Sequence, residues 1–205
     1  MLYLCTRKLI TIKILKMSET ISLVKGQKVD LTKTNPSVNK YKVGLGWNPQ
    51  GSVGDSFDLD VSAFIIGADG KKLSDKHFVF YNNLRSPNDA IVHTGDNLTG
   101  DGDGDDETLI VDFSKIEAEA TEIVFVVTIH QADTKNQNFG QVRGSYIRVL
   151  NEADNDEILK FDLDEDFSIE TAVEFGRLYK RDADWKFEAS GVGQRAGLQS
   201  YLDKF

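Results

Sequence analysis

The chain has 205 residues, 40% hydrophobic, 10% aromatic and 28% charged, which suits one substantial folded domain and excludes both a coiled coil and a disordered chain. A formal net charge of −9 excludes nucleic acid as the main partner, because phosphate binding needs a basic surface. The single cysteine, Cys5, excludes an internal disulfide framework and a thiolate metal centre, and it suits a reducing compartment.

Residues 1–16, MLYLCTRKLITIKILK, are basic, mildly apolar and free of acidic residues. Their lysines and arginine break the apolar run, so the segment is a poor signal peptide, and it is too short and too charged to span a bilayer. It reads as an N-terminal extension of doubtful relevance, with the folded domain expected over 17–205 and Met17 as the expected start. A basic amphipathic anchor is the other reading.

From residue 20 the pattern is one of strands. TISLVKGQKVDLTK (20–33) alternates apolar and polar residues around Lys25-Gly26, which predicts a hairpin. KYKVGLGW, SFDLDVSAFII, HFVFYN, TLIVDF, EIVFVVTIH, SYIRVLN, EILKFDL and WKFEAS follow, each short, rich in Val, Ile and Phe, and bounded by turn residues. EIVFVVTIH (122–130) is almost continuously apolar, which predicts a central strand covered on both faces. Two helices are expected among them. One is a short connector at 114–120, and the other runs over 166–181, capped by Ser168, with Ile169, Ala172, Val173, Leu178 and Tyr179 on one face. The predicted fold is therefore all-β, a two-sheet β-sandwich with one or two short helices.

The stretch HTGDNLTGDGDGDDE (93–107) holds six carboxylates and three glycines between Gly100 and Gly104, without a lysine or arginine. Carboxylates and backbone carbonyls are hard oxygen ligands of the kind Ca²⁺ takes in sets of about 6–8, and glycine lets the backbone turn its carbonyls inward. An EF-hand does not fit. Counting from Asp101, position six is Asp106 where glycine is required and position twelve is Asp112 where glutamate is required, and the flanks are strands. A calcium site here has to be composite, with loops at one end of the sandwich. Asp58 and Asp60 alternate with Leu59 and so share one face of a strand, where two unpaired buried carboxylates would carry a large desolvation cost. Asn82 and Asn83, at a strand exit, add neutral amide oxygens.

No HExxH, GxSxG or P-loop spacing surrounds His77, His93 or His130, so the expectation is no enzyme. In the loop after His130, Asp133, Gln137 and Asn138 are weaker candidates for the rim of a metal pocket. A metal-dependent phosphodiester hydrolase and a C2-like calcium-dependent membrane module are the rival readings.

The strings VGLGW, FDLDVSAF, FVFYNNLRSPN, VHTGDNLTGDGDGDDE, IVFVVTIH, NQNFGQV, EDFSIETAVEFGRLYKR and WKFEASGVGQ resemble the TerD family of tellurium-resistance and stress-response proteins, from about Ser18 to the C-terminus. The resemblance implies a β-sandwich that binds Ca²⁺, with two or more ions, through Asp58, Asp60, Asn82, Asn83, Asp96, Asp103, Asp105, Asp106 and Glu107. It further implies a non-enzymatic stress-response role in the cytoplasm, beside other stress-resistance proteins and an integral membrane partner. Any membrane contact would then be peripheral, at the inner face.

Overall fold

The computed structural model describes residues 20–49, 56–163 and 167–205. The expected N-terminal extension at 1–16 lies outside them. In chain order the elements are β1 (Ile21–Ser22), β2 (Lys28–Asp30), α1 (Leu31–Thr34), β3 (Lys40–Gly46), β4 (Leu59–Gly67), β5 (Phe78–Val79) and β6 (Ile91–His93). There follow β7 (Glu107–Asp112), β8 (Ala120–Ile129), α2 (Ala132–Lys135), β9 (Tyr146–Asn151), β10 (Glu157–Asp162), β11 (Ala172–Arg181), β12 (Asp184–Glu188), β13 (Val192–Gln194) and α3 (Gln199–Lys204).

They form the expected two-sheet sandwich. One sheet runs β1-β10-β9-β3-β7-β6; the other runs β2-β12-β11-β8-β4-β5, with β13 also pairing β11. Alternation along β4 explains what lies between and outside the sheets. Leu59, Val61, Ala63 and Ile65 enter the inter-sheet core with Val43, Leu45, Leu109, Val111, Phe125 and Val127. Asp60, Ser62, Phe64 and Ile66 therefore project from the opposite, outer face. Phe64 and Ile66 join Phe78, Val124, Val126, Ala172 and Tyr201 there in a second apolar cluster.

The short C-terminal α3 covers that cluster. The buried Tyr201 hydroxyl accepts the Glu174 N–H at 2.9 Å and donates to the Val192 carbonyl at 3.0 Å. The Phe205 ring lies 5.2 Å from that of Phe64. With both faces covered, β4 and β8 have no solvent side, which accounts for the apolar runs Ala63–Ile66 and Ile123–Val127. The central position expected for 122–130 is correct: β8 lies between β11 and β4.

Three local expectations are corrected. The 20–33 stretch does turn near Lys25-Gly26, with the Gln27 N–H donating to the Val24 carbonyl at 3.0 Å, but it is no hairpin. β1 pairs in parallel with β10 and β2 pairs with β12, so the turn crosses between sheets to longer partners. At 114–120 only a 3₁₀ turn forms, Phe113–Lys115, capped by Asp112, and Ala120 already opens β8.

Where a helix is expected over 166–181, Ala172–Arg181 form a strand instead, and Asp166 lies outside the described residues. β11 pairs β8 on one side and β12 and β13 on the other. A strand covered on both faces buries nearly every residue, so a set at helical spacing occurs inside the run without a helix behind it. Gly176 marks the difference. A Cβ there would fall 2.4 Å from the Phe187 ring and 2.9 Å from the Glu188 carbonyl, and a bulge between Glu174 and Gly176 accommodates the approach.

Candidate metal centre

Asp58 precedes β4, Asp60 is its second residue, and Asp96 sits in the loop joining β6 to β7. One carboxylate oxygen from each lies within 4.8 Å of the others. Asp58 is 7% exposed and Asp60 3%, whereas Asp96 is exposed. Asp58 Oδ1 is fully buried and has no hydrogen-bond partner among the described residues.

Glu107, the first residue of β7, brings a fourth carboxylate beside them. β4 pairs β5 only at Ala63 and Phe64, which leaves the Val61 N–H beyond the end of β5. Glu107 Oε2 accepts it at 2.7 Å, and Oε1 accepts the Asn97 N–H at 3.3 Å. His93 Nδ1 accepts the Gly95 N–H at 3.2 Å, which puts the imidazole proton on Nε2, 3.5 Å from Glu107 Oε2.

The electrostatics follow from this crowding. Burial first, then the charges of Glu107, Asp58 and Asp96, push Asp60 up to about 8. Burial also raises Asp58, with Asp96 adding to it and His130 opposing. Glu107 is raised by burial, opposed by the nearby His93 ring and the hydrogen bond from the Val61 N–H. The Tyr81 phenol is raised by burial and then by Asp60, Asp96 and Asp58. Burial and mutual repulsion make ionisation costly at this centre, a cost that a cation removes.

The rest of the acidic loop is organised differently. Asp105 accepts Arg148 Nε at 2.7 Å and the Tyr146 hydroxyl at 3.2 Å. Asp106 accepts the Trp47 N–H at 2.9 Å and Asn97 Nδ2 at 3.1 Å. Asp103 is exposed on the side of Lys42 and Arg148. Asn83 donates to the Phe78 carbonyl at 2.6 Å and so stitches its own turn, in which Asn82 is exposed. Of the nine expected ligands, Asp58, Asp60 and Asp96 converge with Glu107 near Asp60; Asn83, Asp105 and Asp106 hold other partners, and Asn82 and Asp103 are exposed. Among the described residues no second group of three or more such side chains converges.

Two residues that shape the loop were not singled out in the sequence. Asn97 Oδ1 accepts the N–H groups of Thr99 and Gly100, both at 3.1 Å, an Asx-type turn whose signal is the Asn-Leu-Thr-Gly run. Trp47 holds Asp106 and packs where a Cβ on Gly100 would stand, 2.4 Å from the indole nitrogen, at φ +73°. Only glycine lets the loop lie that close.

The histidines divide. His77 is structural, with Nδ1 2.8 Å from Ser74 Oγ and Nε2 3.4 Å from Glu117. His130 has Nδ1 3.8 Å from Asp60 Oδ2 and meets Tyr81 edge-on, ring centroids 5.7 Å apart. Asp133 lines a cavity of about 300 Å³ that opens at Asp60. Gln137 donates to the Ser56 carbonyl at 3.4 Å and Asn138 caps a 3₁₀ turn.

An all-oxygen set with two buried carboxylates, one holding an orphaned oxygen, suits a hard divalent cation and suits no soft metal. Fold and site together define an all-β sandwich with a carboxylate centre at the exposed edge of β4. The TerD domain profile matches residues 19–205, and the chain belongs to the TerD family. It is 52% identical to general stress protein 16U of Bacillus subtilis (strain 168), covering 87% of this chain and 93% of that one. Tellurium resistance protein TerD of an Alcaligenes species is 48% identical, covering 91% and 97%. Among solved structures, that of a homologue of telluride resistance protein (TerD) from Streptomyces coelicolor superposes with a TM-score of 0.68 at 20% identity, covering 80% and 95%, a likeness of fold.

Proposed function

We propose that this protein is a calcium-binding, non-enzymatic stress-response module whose cation centre orders a surface for a partner. The observation that carries the reading is the partnerless Asp58 Oδ1, buried beside Asp60 and Asp96. Asp58, Asp60 and Asp96 would hold the ion directly, and Glu107 would supply further negative charge while tying the loop to Val61. Bound Ca²⁺ supplies charge neutralisation. With it in place, Asp96 draws the 94–106 loop onto β4 and Asp60 gives up its proton.

The names of the relatives, a general stress protein and a tellurium resistance protein, support the stress-response role. The lack of a recognisable catalytic motif supports a binding role over an enzymatic one. In this reading the protein works in the cytoplasm beside other stress-resistance proteins, including an integral membrane partner. Any membrane contact in this reading is peripheral; no helix among the described residues is long and apolar enough to cross a membrane. Melting temperature with EDTA, Ca²⁺ or Mg²⁺ is the test. A rise with Ca²⁺ well above that with Mg²⁺ is expected, and equal shifts would refute the calcium assignment.

A further inference from the structure

On the outer face of the second sheet, Asp60 and its cross-strand partner Thr128 form part of the wall of the 300 Å³ cavity. This volume lies at the lower end of the range for small-molecule sites. Tyr81, His130, the exposed Thr134 and the turn leading to Gln199 also line the cavity. That turn is fixed in advance: Thr171 Oγ1 donates to the Arg195 carbonyl at 2.9 Å and accepts the Gly197 N–H at 3.2 Å. Behind it Tyr201 anchors α3. The cavity is thus preformed, and Asp60 belongs to both it and the carboxylate centre.

The chemistry of the lining selects the occupant. It contains hydroxyls, amides, the Tyr81 ring, the His130 imidazole and two carboxylates, Asp60 and Asp133, and no lysine or arginine. Lys135 is within electrostatic reach of Asp58 and Asp60 but does not line it. The carboxyls of the centre, with Asp133 in the cavity wall, disfavour phosphates and other carboxylates, and no lysine or arginine of the lining offsets them. A neutral polyhydroxylated molecule meets no such repulsion. Its adjacent hydroxyls can take coordination positions left by the three aspartates, since Ca²⁺ accepts about 6–8 oxygens. Its remaining hydroxyls can pair with Gln199, Thr134 and Asp133.

We propose that the cavity beside Asp60 is a calcium-dependent binding site for a neutral sugar or cyclic polyol, held through adjacent hydroxyls on the ion and through the Tyr81, Thr134 and Gln199 side chains. The inference rests on the calcium reading of the same centre. A saturation-transfer NMR experiment tests it with methyl α-mannoside, methyl β-galactoside and myo-inositol as neutral probes and ribose 5-phosphate as the anionic one.

With Ca²⁺ present, transfer to at least one neutral probe is expected, disappearing with EDTA and exceeding any transfer to the phosphate. Thr134→Trp at the rim and Tyr81→Ala should each abolish the transfer while leaving the calcium-induced melting shift in place. Silence across the neutral probes alongside an intact calcium shift overturns this inference alone, as does preference for the phosphate. Transfer that survives EDTA overturns its calcium dependence. Loss of the calcium shift in the unaltered protein overturns the functional reading and this inference with it.

Discussion

Asp105 and Asp106 differ from Asp58 and Asp60 in how their charge is met. Asp105 is answered by Arg148 and Tyr146, and Asp106 by the Trp47 N–H and Asn97. Asp58 keeps a buried oxygen without a partner, and Asp60 is pushed up to about 8 by burial and like charges. Buried charge that is already paired serves the architecture, whereas a buried carboxyl left unpaired either keeps its proton or takes a cation. The acidic loop is therefore two structures: a clamp around Trp47 and Arg148, and one wall of a centre completed by β4.

Four experiments would break or sharpen that contrast. The largest effect is expected from Asp60→Asn, which should abolish calcium stabilisation, about 2.7 kcal/mol at a hundredfold excess over Kd, as read by melting with and without EDTA. The same variant, metal-free at pH 8, should melt above the parent because a repulsive charge is gone.

The pH dependence comes next. Asp60 rises to about 8 from its ordinary value of 3.8, so the metal-free fold binds this proton more tightly than the unfolded chain. Its stability should fall as pH rises from 4 towards 8 and flatten above. Calcium binding at pH 7 should then release a proton, visible as a buffer-dependent heat in titration calorimetry. A heat independent of buffer would contradict the crowded centre.

Arg148→Ala should cost about 1–3 kcal/mol in chemical denaturation, because it strips a partly buried Asp105 of its partner, and it should leave the calcium shift unchanged. A lost shift would show that the clamp and the centre are one unit. The smallest effect is expected for Asn83→Ala, about 1 kcal/mol from one turn hydrogen bond, with calcium affinity retained.

Much of this was legible in the chain. Val, Ile and Phe runs between turn residues announced the sandwich, and β8 read as central because a strand without a polar face has no solvent side. The failure at 172–181 has the same origin. Once both faces are buried, the period that separates strand from helix disappears, and Gly176 was the remaining signal. The turn at Lys25-Gly26 was visible, but not that its two arms enter different sheets, since turn chemistry does not name a strand's partner.

The site divided in the same way. The alternation in FDLD put Asp58 and Asp60 on one face, and the structure buries both beside the exposed Asp96. That Asp105 would be taken by Arg148, and Asp106 by the Trp47 backbone, was not visible, because those partners lie 43 and 59 residues away along the chain. The sequence by itself determined the class of fold, the oxygen chemistry and the two strand aspartates, since composition and local alternation suffice for them. Tertiary structure decided which carboxylates are paired, which are stranded, and that Asp60 opens into a cavity on the outer face. Pairing depends on which distant strand comes to lie alongside, and no local pattern encodes that.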